Sequence, residues 1–366
     1  MNAARVVVVG GGYAGVTVAR ELDDIAEVTL VEPKDHFVHA SGTLRSTVDP
    51  HWDDSVFHSL ENLLSRGRII QDAARLITPH SVKFTATHGV EADYIVIATG
   101  TTYPFPAKFI EERAWIAKSR LARLREALDQ CTSVLIVGAG PVGLELAGEL
   151  LHAYERLRIT IVENEATILP GNEYEQGLRD ELQRQLEQAG VTFILSDRLG
   201  YLPPVDVGML GDFTVETEKQ HPIHANMWFR AYGNKQESDF LNPQLNAARK
   251  WDGRICVEPT MQVQGFDTVF AVGDVNNVPE TKRAYTAMTQ AKVAARNIRA
   301  LIEGNPAEAT YEPQRGKIVI PLGPNGGASQ LEQEDGTYRI VGAQETAQFK
   351  GNDLMTGPIV KLLRNA

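Results

Sequence analysis

Cysteine is nearly absent: the 366 residues contain only Cys131 and Cys256. The first ends a predicted helix and the second lies in an apolar strand, so both read as ordinary buried or half-buried thiols. Long apolar runs are missing too, and no stretch approaches the roughly 20 residues needed to cross a bilayer. Positive charge is in deficit, with 36 Lys and Arg against 47 Asp and Glu and a net charge of -11. That balance argues against a nucleic-acid-binding surface or a general polybasic membrane anchor, although a local basic face stays open. The chain enters its first strand almost at once, leaving no room for a secretory signal, and Asn2 stands where myristoylation would need glycine. The expectation is a soluble, cytoplasmic protein. Its 43% hydrophobic content is enough for substantial cores in two or three domains.

What the chain does have is two glycine-rich loops, Gly10-Gly11-Gly12-Tyr13-Ala14-Gly15 and Gly138-Ala139-Gly140-Pro141-Val142-Gly143. Each follows a β-branched run, Arg5 to Val9 or Val134 to Val137, and precedes an amphipathic helix, which is the context a dinucleotide-binding fingerprint requires. The first glycine permits the tight turn, the second lets the backbone approach a pyrophosphate, and the third lets helix pack on strand. The helix N-terminus then faces the phosphate charge. Two nucleotides are expected.

An acid closes the next strand in both units: Glu32 after Val28-Thr29-Leu30-Val31, and Glu163 after Ile159-Thr160-Ile161-Val162. Such an acid accepts hydrogen bonds from ribose hydroxyls and repels a 2′-phosphate. Glu163 is followed by Asn164, Glu165 and Ala166, with no cation for that phosphate, so the second nucleotide is read as NADH in preference to NADPH.

Two more segments, Tyr94-Ile95-Val96-Ile97-Ala98-Thr99-Gly100 and Thr268-Val269-Phe270-Ala271-Val272-Gly273-Asp274, are strands ending in turns. The order of dinucleotide loop, Ala-Thr-Gly, second loop and Gly-Asp resembles the two-dinucleotide-domain flavoproteins of the pyridine nucleotide-disulfide oxidoreductase superfamily. That resemblance implies FAD at the first loop, a nicotinamide at the second, and Asp274 on the flavin ribitol. Disulfide reductases of the superfamily carry a cysteine pair soon after the first acid, but here Glu32 to Arg45 contains none. Thiol chemistry is therefore disfavoured, and electrons are expected to leave the flavin directly.

A closer likeness lies in Lys34-Asp35-His36-Phe37 with Leu44-Arg45, in Ala98 to Phe109, and in Val142-Gly143-Leu144-Glu145-Leu146-Ala147-Gly148-Glu149. These segments resemble the apoptosis-inducing-factor-like oxidoreductases, especially the ferroptosis-suppressor type of NAD(P)H:quinone reductase, and more distantly the type II NADH dehydrogenases. The likeness runs from about Arg5 to Ala300 and weakens after Pro306. One departure is Phe229-Arg230-Ala231-Tyr232-Gly233-Asn234, where tyrosine replaces a small polar residue while Gly233 is kept. Either the turn only repacks, or the nicotinamide slides differently over the flavin. Quinone-reducing relatives attach to membranes; the short apolar segment Met355 to Arg364 carries two basic residues and suits terminal packing better than weak interfacial binding.

The expected fold class is α/β, with two Rossmann-like dinucleotide-binding domains, the NAD domain inserted in the FAD domain, plus a small C-terminal α+β unit. The boundaries are 1–106 and 253–304 for FAD binding, 107–252 for NAD binding, and 305–366 for the C-terminal unit. A β-meander is expected from Arg68 to His88, helices over Trp115 to Gln130, Tyr174 to Ala189 and Thr281 to Glu303, and turns at Pro321, Gly323 to Gly327 and Asp335-Gly336.

By resemblance, the FAD contacts are Gly10, Gly12, Tyr13, Ala14, Gly15, Glu32, Pro33, Lys34, Arg45, Ala74, Ala98, Thr99, Gly100, Gly273, Asp274, Ala284, Tyr285 and Thr286. Arg45 is read as neutralising the pyrophosphate or as an ion-pair residue. The NAD contacts are Gly138, Gly140, Pro141, Val142, Gly143, Glu163 and Gly233. NADH stacked on the flavin passes hydride from C4 to N5, a step that needs orientation more than an acid or base. Glu145 matches a family glutamate near the nicotinamide and either orients its carboxamide or sits on a solvated helix face. The helix after Asp274 points its N-terminus at the flavin, with backbone donors from Ala284, Tyr285 and Thr286 and a weaker acceptor-pocket candidate in Gln290. His39 is a proton donor near flavin or a hydrogen-bonded structural histidine. His36 and His39 lack companion ligands, so no metal is expected. Phe37, Tyr103, Phe105, Tyr285 and Met288 line a flat acceptor pocket or pack the core.

The leading function is an FAD-dependent oxidoreductase carrying electrons from NADH to a small quinone-like acceptor. Alternatives are turnover of a small biosynthetic metabolite, or a nicotinamide-responsive regulatory flavoprotein. Ferredoxin and rubredoxin, themselves acidic, suit an acidic chain poorly. No nucleic-acid partner is expected, membrane contact is at most weak and peripheral, and a homodimer is compatible with the family.

Overall fold

The computed structural model describes residues 3–314 and 317–363. Asn2 and Arg364, used in the sequence reading, lie outside them. In chain order the framework strands are β1 (Arg5–Val9), β2 (Glu27–Val31), β3 (Arg68–Ile70), β4 (Tyr94–Ile97), β5 (Ser133–Val137), β6 (Arg158–Val162), β7 (Thr192–Ile194), β8 (Met227–Arg230) and β9 (Val269–Ala271). The main helices are α1 (Tyr13–Leu22), α2 (Ala114–Leu128), α3 (Pro141–Ala153), α4 (Gln176–Gln188), α5 (Ala284–Ile302) and α6 (Thr356–Leu363).

Two parallel sheets result, one in the order β9-β4-β1-β2-β3 and the other β7-β6-β5-β8. The continuous apolar runs follow from burial on both faces. Val6 and Val8 of β1 join the core under α1 and α5, while Val7 and Val9 join a second core with Ile77 and Val82. In β5, Val134 and Ile136 face the helices, and Leu135 faces Val215 and Trp228. The α/β class with two Rossmann-like sheets is thus present. A two-stranded antiparallel link, Thr101–Thr102 against Lys235–Gln236, ties the outgoing and returning chain together.

Two local expectations change. Arg68–Ile70 is the edge of the parallel sheet, paired with Thr29 to Val31, and the meander instead runs through Leu76–Thr78, Ser81–Lys83 and Gly89–Glu91. A three-residue strand is too short to declare its partner by periodicity. Pro321 lies inside strand Ile318–Leu322, where it sits on a sheet edge and loses no ladder bond, as proline in a strand requires. The strand belongs to a three-stranded antiparallel sheet with Gly326–Glu332 and Tyr338–Val341. Its junction with α3 is tight: a Cβ on Gly148 would stand 2.4 Å from the Leu322 Cα.

Candidate functional site

The two glycine loops are built alike. Gly10 and Gly138 have φ of 105° and 108°, and a Cβ there would stand 2.5 Å from the Ala98 carbonyl oxygen and 2.6 Å from that of Ala231. Gly15 and Gly143 pack on Gly10 and Gly138, so that a Cβ would come within 1.8 and 2.1 Å of a carbonyl oxygen. Gly12 and Gly140 differ: nothing lies within 4 Å of their Cβ positions. Each therefore fronts open space at the start of a helix, where a pyrophosphate needs room and backbone N–H groups. The residues present fit two dinucleotides.

Glu32 and Glu163 stand in matching places. Glu32 accepts from Gly11 N at 2.6 Å and Lys34 N at 3.0 Å; Glu163 accepts from Ala139 N at 2.7 Å and Glu165 N at 3.1 Å. Both are almost fully buried and keep acceptor capacity for ribose hydroxyls. The Lys34 ammonium lies 3.6 Å from Glu32, the Pro33 carbonyl accepts from Gln71 at 3.2 Å, and half-buried Ala74 packs against the core that holds Val31 and Ile77. In the second loop, Pro141 takes the first position of α3 and Val142 is half-buried.

Around the first loop, Thr99 bonds the Glu237 carbonyl and Gly100 has φ of 67°. A Cβ on Gly273 would stand 3.3 Å from that of Ala14, which brings the Gly-Asp turn beside the loop. The Asp274 carboxylate is 3.3 Å from the Thr101 hydroxyl and 3.7 Å from the Lys108 ammonium. Lys108 also donates to Thr101 O and Oγ1, both at 2.7 Å, and burial lowers its proton affinity. Sequence reasoning missed this lysine, although it stands in the Pro104 to Phe109 stretch. Ala284, Tyr285 and Thr286 form the first turn of α5, where Thr286 caps Arg283 and Tyr285 is 66% exposed.

Several side chains take the structural one of the roles open to them. The Arg45 guanidinium is buried against Glu149, with Nε 3.0 Å from both carboxylate oxygens and Nη2 2.8 Å from Oε1, and Nη1 donates to the Gly351 carbonyl at 2.6 Å. It is therefore committed away from any FAD pyrophosphate. His39 is bonded on both ring nitrogens, Nδ1 to the Tyr13 hydroxyl at 2.9 Å and Nε2 to the Leu354 carbonyl at 2.8 Å. Burial pulls its pKa down to about 4, so the ring is neutral at pH 7 and serves structure in place of proton donation. Burial likewise pushes the Tyr13 hydroxyl up to about 12. Gln290 leaves the acceptor pocket: it accepts from Gly273 N at 2.8 Å and Asn276 Nδ2 at 2.7 Å and donates to Glu280 at 2.6 Å. Phe37 and Phe105 are core residues, whereas Tyr103 and Met288 are partly buried.

Glu145 is no solvated carboxylate. Its Oε1 and Oε2 lie 2.9 and 3.2 Å from the ammonium of Lys350, a residue that no local motif announces. Burial raises the Glu145 carboxyl above its ordinary range, and Lys350 opposes the shift. Gly233, with φ of 86°, ends the matching turn of the second sheet, while Tyr232 is 43% exposed under the Arg230 guanidinium. Among the described residues, no group of three or more His, Cys, Asp or Glu could hold a metal ion, and no helix is long and apolar enough to cross a membrane.

Comparison with known proteins agrees with this geometry. Apoptosis-inducing factor homolog B of Dictyostelium discoideum is 27% identical, over 99% of this chain and 97% of its own. Human ferroptosis suppressor protein 1 is 27% identical over 100% of this chain and 97% of its own. The fold matches the sulfide:quinone oxidoreductase of Aquifex aeolicus with a TM-score of 0.76 at 16% identity, covering 99% of this chain and 92% of that one. The family model for pyridine nucleotide-disulphide oxidoreductases matches residues 4–295. With two dinucleotide cradles in place and that match along most of its length, the chain belongs to the pyridine nucleotide-disulphide oxidoreductase family and is an FAD- and NAD(P)H-dependent oxidoreductase.

Proposed function

We propose that the protein passes electrons from NADH through FAD to a flat, quinone-like acceptor without a thiol relay. The observation that carries this reading is the pair of open cradles at Gly12 and Gly140, each backed by a buried glutamate, in a chain with no cysteine between Glu32 and Arg45. When bound, FAD supplies a two-electron carrier that accepts the hydride leaving C4 of NADH and returns two electrons to the acceptor; overall, NADH, one proton and a quinone give NAD⁺ and a quinol.

The protein's own contribution is positioning. Residues 1–106 and 253–304 hold FAD, 107–252 hold the nicotinamide dinucleotide, and 305–366 supply Lys350. Glu32 and Glu163 bind the two ribose diols, and Glu163 favours NADH by repelling a 2′-phosphate. Asp274 holds the ribityl chain, with Lys108 rather than Arg45 as the nearby cation. Glu145, ionised beside Lys350, accepts from the nicotinamide carboxamide, and the first turn of α5 directs backbone donors at the flavin ring. The fold shared with a sulfide:quinone oxidoreductase and the quinone-reductase-like Ala98 to Pro106 stretch support the acceptor class; the reading places the protein in the cytoplasm.

Anaerobic stopped-flow mixing with NADH or NADPH, followed by a short-chain quinone, oxygen or ferredoxin, tests it. Fast bleaching by NADH and fast recovery with quinone are expected. Bleaching without recovery by quinone rejects the acceptor, and purified protein free of flavin rejects the whole reading.

A further inference from the structure

Helix α3 carries two glutamates one turn apart, and each is held from a different part of the chain. Glu149 is held by Arg45, on the short helical turn Thr43–Ser46, through three contacts of 2.8 to 3.0 Å. Glu145 is held by Lys350 at 2.9 Å, in the helical segment Ala347–Gly351. The two grips are joined, because Arg45 also donates to the carbonyl of Gly351, the residue after Lys350, at 2.6 Å. One guanidinium thus spans the helix bearing Glu145 and the backbone bearing Lys350.

Arg45 has little freedom to do otherwise. It is 5% exposed, Glu149 is 3% exposed, and the guanidinium lies 5.0 Å from the centre of the Trp52 ring. The turn it holds is also fixed from behind, since a Cβ on Gly351 would stand 2.7 Å from the Pro324 carbonyl oxygen. A buried ion pair is seldom more stabilising than an apolar pair of the same volume, so stability alone is a weak reason for this one. Geometry is a better reason. A lysine ammonium on four flexible carbons goes where its backbone and partner put it, whereas a planar guanidinium can satisfy a carboxylate and a carbonyl at fixed angles at once.

We propose that Arg45 is a positioning residue for hydride transfer: by holding Glu149 and the Gly351 carbonyl together it sets where the Glu145–Lys350 pair stands beside the nicotinamide. This rests on the reading that Glu145 faces the nicotinamide. Arg45 touches neither NADH nor the acceptor; it acts through Glu145 and Lys350.

The test uses holoprotein with Arg45→Lys, Lys350→Met, and both together, read by FAD content, melting temperature, and the limiting rate and half-saturation of anaerobic bleaching by NADH. Arg45→Lys should keep its FAD and slow limiting bleaching roughly ten- to hundredfold with little change in half-saturation, as expected for misplacement of about 1 Å. The combined variant should be no slower than Lys350→Met alone, because the two substitutions damage one device. An Arg45→Met/Glu149→Met variant serves if the lysine variant folds poorly; it should melt normally and still bleach slowly. Wild-type bleaching in Arg45→Lys, multiplied deficits in the combined variant, or loss of FAD from folded Arg45→Lys would overturn the inference. Failure of NADH to bleach the wild-type holoprotein would instead reject the hydride reading and the inference with it.

Discussion

Lys350 and Glu145 are 205 residues apart in the chain, yet the ammonium of one lies 2.9 Å from the carboxylate of the other, one turn into the helix that follows the second nucleotide loop. Replacing Lys350 with methionine should leave Glu145 without its counter-charge and raise its carboxyl pKa further than burial already does. An acid whose folded pKa is raised favours folding below its ordinary value, and that contribution fades as pH rises through the folded value. The variant should therefore lose stability more steeply with rising pH than wild type, and the acid limb of NADH bleaching should move to higher pH. Urea unfolding and bleaching rates across the pH range check both; an unmoved limb would remove Glu145 from the nicotinamide site.

The glycines separate cofactor binding from folding. Gly12→Val and Gly140→Val place their side chains in open space, so both proteins should fold; the first should purify colourless, and the second yellow but unresponsive to NADH. Gly15→Ala drives a Cβ into the Gly10 carbonyl and should destabilise the fold itself, by about 1–3 kcal/mol. Absorbance at the flavin band and thermal melts check all three, and a yellow Gly12→Val protein would contradict the first cradle.

Glu163→Ala should weaken NADH roughly tenfold or more while FAD content stays normal. The proposed preference for NADH over NADPH should narrow with it, because the charge that would repel a 2′-phosphate is gone. Titration of each nucleotide into holoprotein measures the ratio; an unchanged ratio would reject the ribose role.

His39 predicts acid sensitivity. Its pKa falls from 6.5 to about 4 on folding, so its contribution is present above the unfolded value and is lost as pH drops from 6.5 through 4. The loss amounts to about 3 kcal/mol. His39→Gln, which does not titrate, should be less stable than wild type at pH 7 and should lose less between pH 7 and 4. Parallel denaturation curves at both pH values decide it.

The two sheets were legible because their signals are local. A β-branched run, a glycine loop, a helix and an acid follow one another within 30 residues or so, as the mononucleotide-binding unit dictates, and the open Gly12 and Gly140 positions fall where that pattern puts them. What escaped is what distant segments do to one another. Arg45 stays open between phosphate ligand and ion-pair residue until Glu149 and Gly351 are folded around it, and His39 between proton donor and structural histidine until the Leu354 carbonyl meets its second nitrogen. Lys350 lies in a stretch with no motif, and only the C-terminal sheet packed on α3 through Gly148 brings it to Glu145.

The paired turns after β4 and β8 have a consequence for how the two halves can diverge. In both, the nearest contact that shapes the glycine loop is made by an alanine, Ala98 or Ala231; the Thr99 Cα also lies 2.9 Å from the Cβ position of Gly10, whereas the nearest atoms to that of Gly138 all belong to Ala231. Thr99 uses its place to tie the returning chain at Glu237, while Tyr232 lies partly exposed under the Arg230 guanidinium. Position 232 is therefore a slot whose occupant can change without disturbing the scaffold, and a Tyr232→Thr chain should fold and bind both cofactors as before. The departure at that turn thus changes a partly exposed side chain beside a loop whose glycine, Gly138, has nearly the φ of Gly10, 108° against 105°.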